Sequence, residues 1–117
     1  PQEVKFVQVS DAGALDDFFA RSHERPVLVF KHSLTCPISS AAYEEMSRLS
    51  PAVVPELALV VVQRARDISA QVATRTGVRH ESPQAVVLHK GTVVWSASHF
   101  DVTADAVEQA FKAVNAQ

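Results

Sequence analysis

The fold is decided by residues 27–39, whose sequence is VLVFKHSLTCPIS. The apolar run 27–30 is typical of a central strand covered on both faces, and Pro37 suits the first turn of a helix. Cys36 therefore lies where a strand gives way to a helix, and the free N–H groups and dipole of that helix favour a thiolate. Ser39 holds the position of the second cysteine in a Cys-x-x-Cys motif. The pattern predicts an activated thiol without a partner thiol.

The composition of the chain argues against several classes of protein. The chain has 117 residues, of which 47% are hydrophobic, and this predicts one domain spanning residues 1–117. A formal charge of −2 without a long basic run argues against nucleic-acid binding. No apolar run approaches the roughly 18 residues of a membrane span, and the first residues do not resemble a signal peptide. A single cysteine excludes an internal disulfide framework and a cysteine-rich zinc site. We therefore expect a cytoplasmic protein with no membrane or nucleic-acid partner.

Strand and helix signals alternate along the chain. The predicted strands span residues 4–9, 26–31, 57–62, 85–88 and 92–95. Four helices are predicted. The first begins after a cap at Ser10 or Asp11, and the second begins at Pro37. The third passes through Ile68 and ends at a C-cap at Gly77, and the fourth begins after a cap at Thr103. Lys90-Gly91 is expected to turn the last two strands into a hairpin. The order β-α-β-α-β-α-β-β-α is that of the thioredoxin fold, an α/β fold with a central mixed five-stranded sheet flanked by helices.

Three blocks carry a closer resemblance. They are FKHS with TCPIS in residues 30–39, GVRHESPQ in residues 77–84 and VVWSASH in residues 93–99. Together they resemble the YtxJ-like monothiol bacilliredoxins of the bacillithiol redox system, over nearly the whole chain. The resemblance implies a thiol–disulfide oxidoreductase that removes bacillithiol from mixed disulfides on cytoplasmic proteins. It implies S-thiolated client proteins and a low-molecular-weight thiol as partners, with bacillithiol as co-substrate and no tightly bound cofactor.

The same blocks supply the candidate site residues. Cys36 would be the attacking thiol of the CPIS motif, with Pro37 opening the helix behind it. Among nearby hydroxyls, Ser39 is the best placed in sequence to donate a hydrogen bond to the sulfur. The candidate substrate-binding residues are Thr35, His32, Pro83, Ser82 and His80. The resemblance to the thioredoxin fold also predicts a cis Ser82–Pro83 bond, because that fold shapes its thiol site with a cis-proline.

Topology sorts the other charged and aromatic side chains. The strand of residues 26–31 ends just before Cys36, and we call the edge of the sheet where it ends the thiol edge. His32, His80 and His99 are expected at this edge, and His23 and His89 at the opposite end. A carboxylate of a small anionic thiol would find cations among Arg64, Arg66, Arg75 and Arg79, although ordinary surface charge is the expected role of each taken singly. Lys31 lies closer to the thiol in sequence and competes for the electrostatic role. Trp95 is expected to pack against the core.

Other functions stay open on the sequence alone. A second enzymatic hypothesis makes Cys36 a peroxidatic thiol, which would form a sulfenic acid with peroxide. A binding module would hold a metal or an iron–sulfur cluster through Cys36, although the histidines around it lack a recognisable ligand spacing. A third hypothesis is a non-catalytic protein that has the same fold.

Overall fold

The computed structural model describes residues 3–116 of the chain. Within them the strands are β1 (Lys5–Gln8), β2 (Val27–His32), β3 (Glu56–Val61), β4 (Gln84–His89) and β5 (Thr92–Ser98). The helices are α1 (Ala12–Arg21), α2 (Pro37–Ser47), α3 (Arg66–Thr76) and α4 (Ala104–Asn115), and a 3-10 turn at His99–Asp101 separates β5 from α4.

The strands form one mixed sheet in the order β1-β3-β2-β4-β5. β1, β3 and β2 run parallel, whereas β4 is antiparallel to β2 and β5 is antiparallel to β4. The predicted element order and the thioredoxin-like α/β fold are confirmed. As a consequence β2 and β3 end at the edge of the sheet where β4 begins, so three loops meet around residue 36.

Each face of the sheet has its own hydrophobic core. Val29 points to the side covered by α1 and α3, and Phe30 points to the side covered by α2 and α4. Because side chains alternate along a strand, Lys31 extends under α1 and α3 while His32 extends under α2. All six residues of β2 are buried. The strand that leads to the thiol therefore carries a charged side chain into the interior.

The helix ends follow the predicted capping signals. Asp11, rather than Ser10, caps α1 and accepts a hydrogen bond of 2.8 Å from the N–H of Ala14. Thr103 caps α4 in the same way. Gly77 ends α3 with a φ of 74°, a left-handed conformation that glycine adopts at little cost.

The hairpin between β4 and β5 turns at Lys90 and Gly91, as predicted. Their φ angles are 56° and 77°, and two successive positive values suit the twist of a two-residue hairpin. β5 continues to Ser98, beyond the predicted 92–95, because Ser98 still pairs with Gln84. The weakly apolar end of β5 gives little sequence signal, and pairing with β4 extends the strand. Among the described helices, none combines the length and apolar character that crossing a membrane requires.

Candidate active site

Cys36 lies at the amino end of α2, as predicted. It is the N-cap residue, with extended backbone angles, and Pro37 is the first helical residue. The first hydrogen bond of the helix joins the Ser40 N–H to the Cys36 carbonyl at 3.1 Å. Within residues 3–116, the N–H groups of Ile38 and Ser39 have no backbone acceptor. The partly exposed thiol therefore sits beside two free N–H groups at the positive end of a helix dipole.

Ser39 does not have the role that we expected. Its side chain is completely buried, and its Oγ accepts a hydrogen bond of 2.8 Å from the Ser33 N–H. The same Oγ lies 2.9 Å from the Nδ1 of His32. The hydroxyl faces the end of β2 because the third position of α2 points inward to the sheet. Ser39 therefore ties the thiol loop to β2, where we had expected it to donate to the sulfur.

His32 supports the loop from the core side, and it lines a cavity together with Leu34 and Tyr43. Only 8% of it is exposed, and its ring centre lies 5.0 Å from the ring centre of Tyr43 and 5.8 Å from that of Phe30. Burial lowers the pKa of His32, partly offset by a hydrogen bond to the backbone of Ser39. The imidazole is therefore neutral near pH 7, which suits a hydrogen-bonded support inside the core.

Gln63 is a residue of the site that the sequence analysis missed. Its Oε1 accepts a hydrogen bond of 3.1 Å from the Leu34 N–H, and its Nε2 donates to the Ser33 Oγ at 2.8 Å. A longer contact of 3.4 Å joins the same Nε2 to the Oγ1 of Thr35, which is exposed. Its position just after β3 was the available signal, because polar residues that follow parallel strands gather at one edge of the sheet. Gln63 thus braces the loop that carries Cys36.

On the other side of the sheet, Lys31 contacts His80. Lys31 is completely buried, and its Nζ lies 3.1 Å from the Nδ1 of His80. The Oγ of Ser69 lies 3.2 Å from the same nitrogen. Burial lowers the pKa of Lys31 from 10.5 to about 8. Burial also lowers the pKa of His80, as does the charge of Lys31, whereas Glu81 raises it.

The segment before β4 lies beside the end of β2. The Ser82–Pro83 peptide bond is cis, and Gln84 pairs with Lys31 in the sheet. The Pro83 carbonyl accepts a hydrogen bond of 3.0 Å from the His99 N–H. In the described part of the chain, the Oγ of Ser82 is buried without a hydrogen-bond partner. The register therefore brings Ser82 and Pro83 to the edge of the sheet that holds the thiol loop.

The histidines separate as the topology predicts. His32, His80 and His99 lie at the thiol edge, where the Nε2 of His99 is 3.3 Å from a carboxylate oxygen of Glu81. His23 lies beside the hairpin turn at the opposite end, and His89 closes β4 there. Between residues 3 and 116 no group of three or more histidine, cysteine or acidic side chains is arranged to hold a metal ion.

The candidate cations do not share one location. Arg75 forms an ion pair of 2.6 Å with Asp16 and lies over the ring of Phe19. Arg64 and Arg79 line two cavities on different sides of the domain. Trp95 packs partly buried against the core, as expected.

Comparison with known proteins identifies the family. A family model described as monothiol bacilliredoxin BrxC matches residues 7–107. The chain belongs to the monothiol bacilliredoxin family. The bacilliredoxin also resembles a solved thioredoxin-fold protein, itself proposed to be an oxidoreductase, with 33% identity and a TM-score of 0.80 over 90% of this chain and 92% of the other.

Solved thioredoxins share the fold with this bacilliredoxin at lower identity. The thioredoxin of Trypanosoma brucei brucei has 11% identity and a TM-score of 0.76, covering 99% of this chain and 96% of its own. Thioredoxin NaTrxh of Nicotiana alata has 14% identity and a TM-score of 0.72, covering 98% and 95%. At these identities the likeness concerns the fold alone, and it agrees with the sheet order described above.

Proposed function

We propose that this bacilliredoxin removes a low-molecular-weight thiol, bacillithiol, from mixed disulfides on client proteins. The observation that carries the proposal is the position of Cys36, partly exposed at the amino end of α2 beside two free N–H groups. Peptide N–H groups and the helix dipole stabilise negative charge on a sulfur at this position. Membership of the monothiol bacilliredoxin family supports bacillithiol as the small thiol.

The exchange is a substitution at sulfur. The Cys36 thiolate attacks the small-thiol sulfur of the mixed disulfide, a new disulfide forms between them, and the bond to the client sulfur breaks. The client leaves as a thiolate, which takes a proton from solvent. No net oxidation occurs, because one disulfide is exchanged for another. A strained or low-pKa client thiol is the better leaving group and should react faster.

Regeneration requires a second thiol from outside the chain. Its 117 residues contain one cysteine, so Cys36 in its mixed disulfide has no internal resolving partner. A free low-molecular-weight thiol attacks the small-thiol sulfur, restores the Cys36 thiolate and leaves as a symmetrical disulfide. Bacillithiol is thus a co-substrate, no tightly bound cofactor takes part, and a reducing cytoplasm is the compartment in which the cycle runs.

The surrounding residues divide into contacts and supports. We assign Thr35 and the segment from Ser82 to Pro83 to contact with the bound disulfide, since Thr35 is exposed directly before Cys36 and the segment leads into β4 at the edge where β2 ends. His32 and Ser39 hold the loop, since both are buried and hydrogen-bonded to each other. This division separates residues that determine substrate binding from residues that determine where the sulfur lies.

The test is intact-mass spectrometry of the reduced protein mixed with a client protein carrying bacillithiol on one cysteine. We expect a mass gain of one bacillithiol on this protein and release of unmodified client. The Cys36→Ser variant serves as the matched control and should show neither change. Clients carrying glutathione or cysteine, run in parallel, measure the preference for the small thiol.

Three results would contradict the proposal in whole or in part. Full activity of the Cys36→Ser variant would remove Cys36 from the reaction. An unreacted wild-type protein would instead favour a metal-binding or non-catalytic role for the same fold. Reaction with glutathione but not bacillithiol would keep the exchange chemistry and change only the substrate.

A further inference from the structure

Lys31 is a buried cation without an acidic partner. It is 0% exposed, and among the described residues the only hydrogen bond of its ammonium group is the one of 3.1 Å to the Nδ1 of His80. Burying an ammonium group costs free energy unless the group is well paired. A hydrophobic side chain would fill the same space under α3 at lower cost. The contact with His80 is therefore what the lysine contributes.

This contact determines which nitrogen of His80 carries the proton. An ammonium group only donates hydrogen bonds, so the Nδ1 of His80 must accept. A neutral imidazole with a lone pair on Nδ1 carries its proton on Nε2. Burial and the charge of Lys31 both oppose a second proton on His80, with Glu81 acting against them. Because His80 is exposed on its outer side, its Nε2–H is a donor available to a ligand.

His80 lines a cavity of about 450 Å³. Arg66, Ser69 and Thr74 also line it, and its apolar wall consists of Val62, Ala70 and Ala73. Arg66 is exposed and forms no ion pair within residues 3–116. Arg66 and His80 thus both line this cavity, and the ammonium group of Lys31 lies behind His80.

The cavity lies at the thiol edge of the sheet. The Val62 N–H donates a hydrogen bond of 2.9 Å to the His32 carbonyl, where β2 ends and the loop to Cys36 begins. His80 is three residues from Pro83 on the segment that borders the same edge. The cavity and the loop that carries Cys36 therefore lie at the same edge of the sheet.

We propose that the cavity between α3 and His80 binds a carboxylate of the low-molecular-weight thiol, through the guanidinium of Arg66 and the Nε2–H of His80. This inference rests on the proposed function and specifies its substrate class: thiols that carry a carboxylate. Arginine matches a carboxylate with two parallel hydrogen bonds, and the apolar wall accommodates the carbon chain between carboxylate and sulfur. Lys31 acts through His80, so it is a positioning residue.

A matched pair of substrates isolates the carboxylate. One client protein with a single cysteine is modified either with 3-mercaptopropionate or with its uncharged amide, 3-mercaptopropionamide, and rate constants for transfer to Cys36 are measured in single turnovers. Loss of one charge-assisted hydrogen bond to the carboxylate corresponds to a decrease of about tenfold in the rate constant. We expect the acid-to-amide ratio of rate constants to fall by about that factor in Arg66→Gln and in His80→Ala. Arg48→Gln, which removes an exposed guanidinium near the far end of α2, should keep the wild-type ratio.

A second measurement does not depend on exchange. In the Cys36→Ser protein, the imidazole resonances of His80 are followed by NMR while 3-(methylthio)propionate or its amide is added. We expect saturable shifts with the acid only, and their loss in the Arg66→Gln background.

The outcomes separate this inference from the proposed function. Equal ratios in all variants, with both clients still demodified, would overturn the carboxylate subsite and leave thiol exchange standing. A uniform loss with both thiols in Arg66→Gln would also overturn it, because Arg66 would then recognise the client. If neither of these clients reacts although the bacillithiol client does, the proposed function stands and the NMR titration alone decides whether the cavity binds a carboxylate. If the bacillithiol client does not react either, the proposed function fails.

Discussion

Lys31→Met tests the energetic consequence of placing an ammonium group inside this domain. Methionine keeps the length of the unbranched side chain and removes the charge. The variant leaves the Nδ1 of His80 with the Oγ of Ser69, 3.2 Å away, as its remaining partner. We expect Lys31→Met to be more stable than wild type at neutral pH and to lose that advantage in alkaline solution.

The magnitude follows from the lowered pKa of Lys31. A change from 10.5 to about 8 corresponds to about 3 kcal/mol of destabilisation while the lysine is charged in both states. Losing the hydrogen bond to His80 offsets about 1 kcal/mol, which leaves a net gain of about 2 kcal/mol for the variant near pH 7.

The pH dependence has a definite sign. Between about pH 8 and 10.5, the folded state holds fewer protons on Lys31 than the unfolded state, so the wild-type free energy of unfolding rises with pH. By about pH 9.5 only about 1 kcal/mol of the charge penalty remains, and the two proteins become nearly equal in stability.

Urea unfolding at the two pH values measures this difference. A gain of about 2 kcal/mol moves the midpoint by about 1 M, given typical slopes for small domains. Lys5→Met, at an exposed position of β1, is the matched control and should show no pH-dependent difference from wild type. A Lys31→Met advantage that stays constant from pH 7 to 9.5 would refute the reasoning, since buried charge would then not be its source.

Two further substitutions test the loop and the end of α3. Ser39→Ala leaves the Ser33 N–H and the Nδ1 of His32 without their partner, so we expect the free energy of unfolding to fall by about 1–3 kcal/mol and thiol transfer to slow. Urea unfolding and single-turnover rate constants measure these two effects. Unchanged stability and rate would show that other contacts hold the loop. Gly77→Ala places a Cβ at a φ of 74° and should lower the free energy of unfolding by about 1 kcal/mol. Gly13→Ala, inside α1, should leave it unchanged or raise it. Thermal unfolding measures both variants, and a lowered unfolding temperature in both would contradict this.

Local signals predicted the framework of this protein well. The strands β2 and β3 are short apolar runs, Asp11 and Thr103 are good capping residues, and Gly77 is a typical helix end. Each of these depends on residues that are neighbours in sequence. The site was predicted less well, because Ser39 was expected to face the sulfur and Gln63 was not recognised. Whether a side chain points to solvent or to the core depends on packing between helices and strands. The sequence of the loop alone does not contain that information.

The sequence by itself determined the order of the elements, the placement of Cys36 at the start of a helix, and the lack of a second thiol to resolve it. Hydrophobic periodicity, proline geometry and a residue count are enough for these conclusions. Only the tertiary structure decided that Gln63 braces a loop 30 residues away and that Lys31 contacts His80 across 49 residues. Such contacts depend on the register of the strands and on the packing of α3 over the sheet, which bring together residues that are distant along the chain.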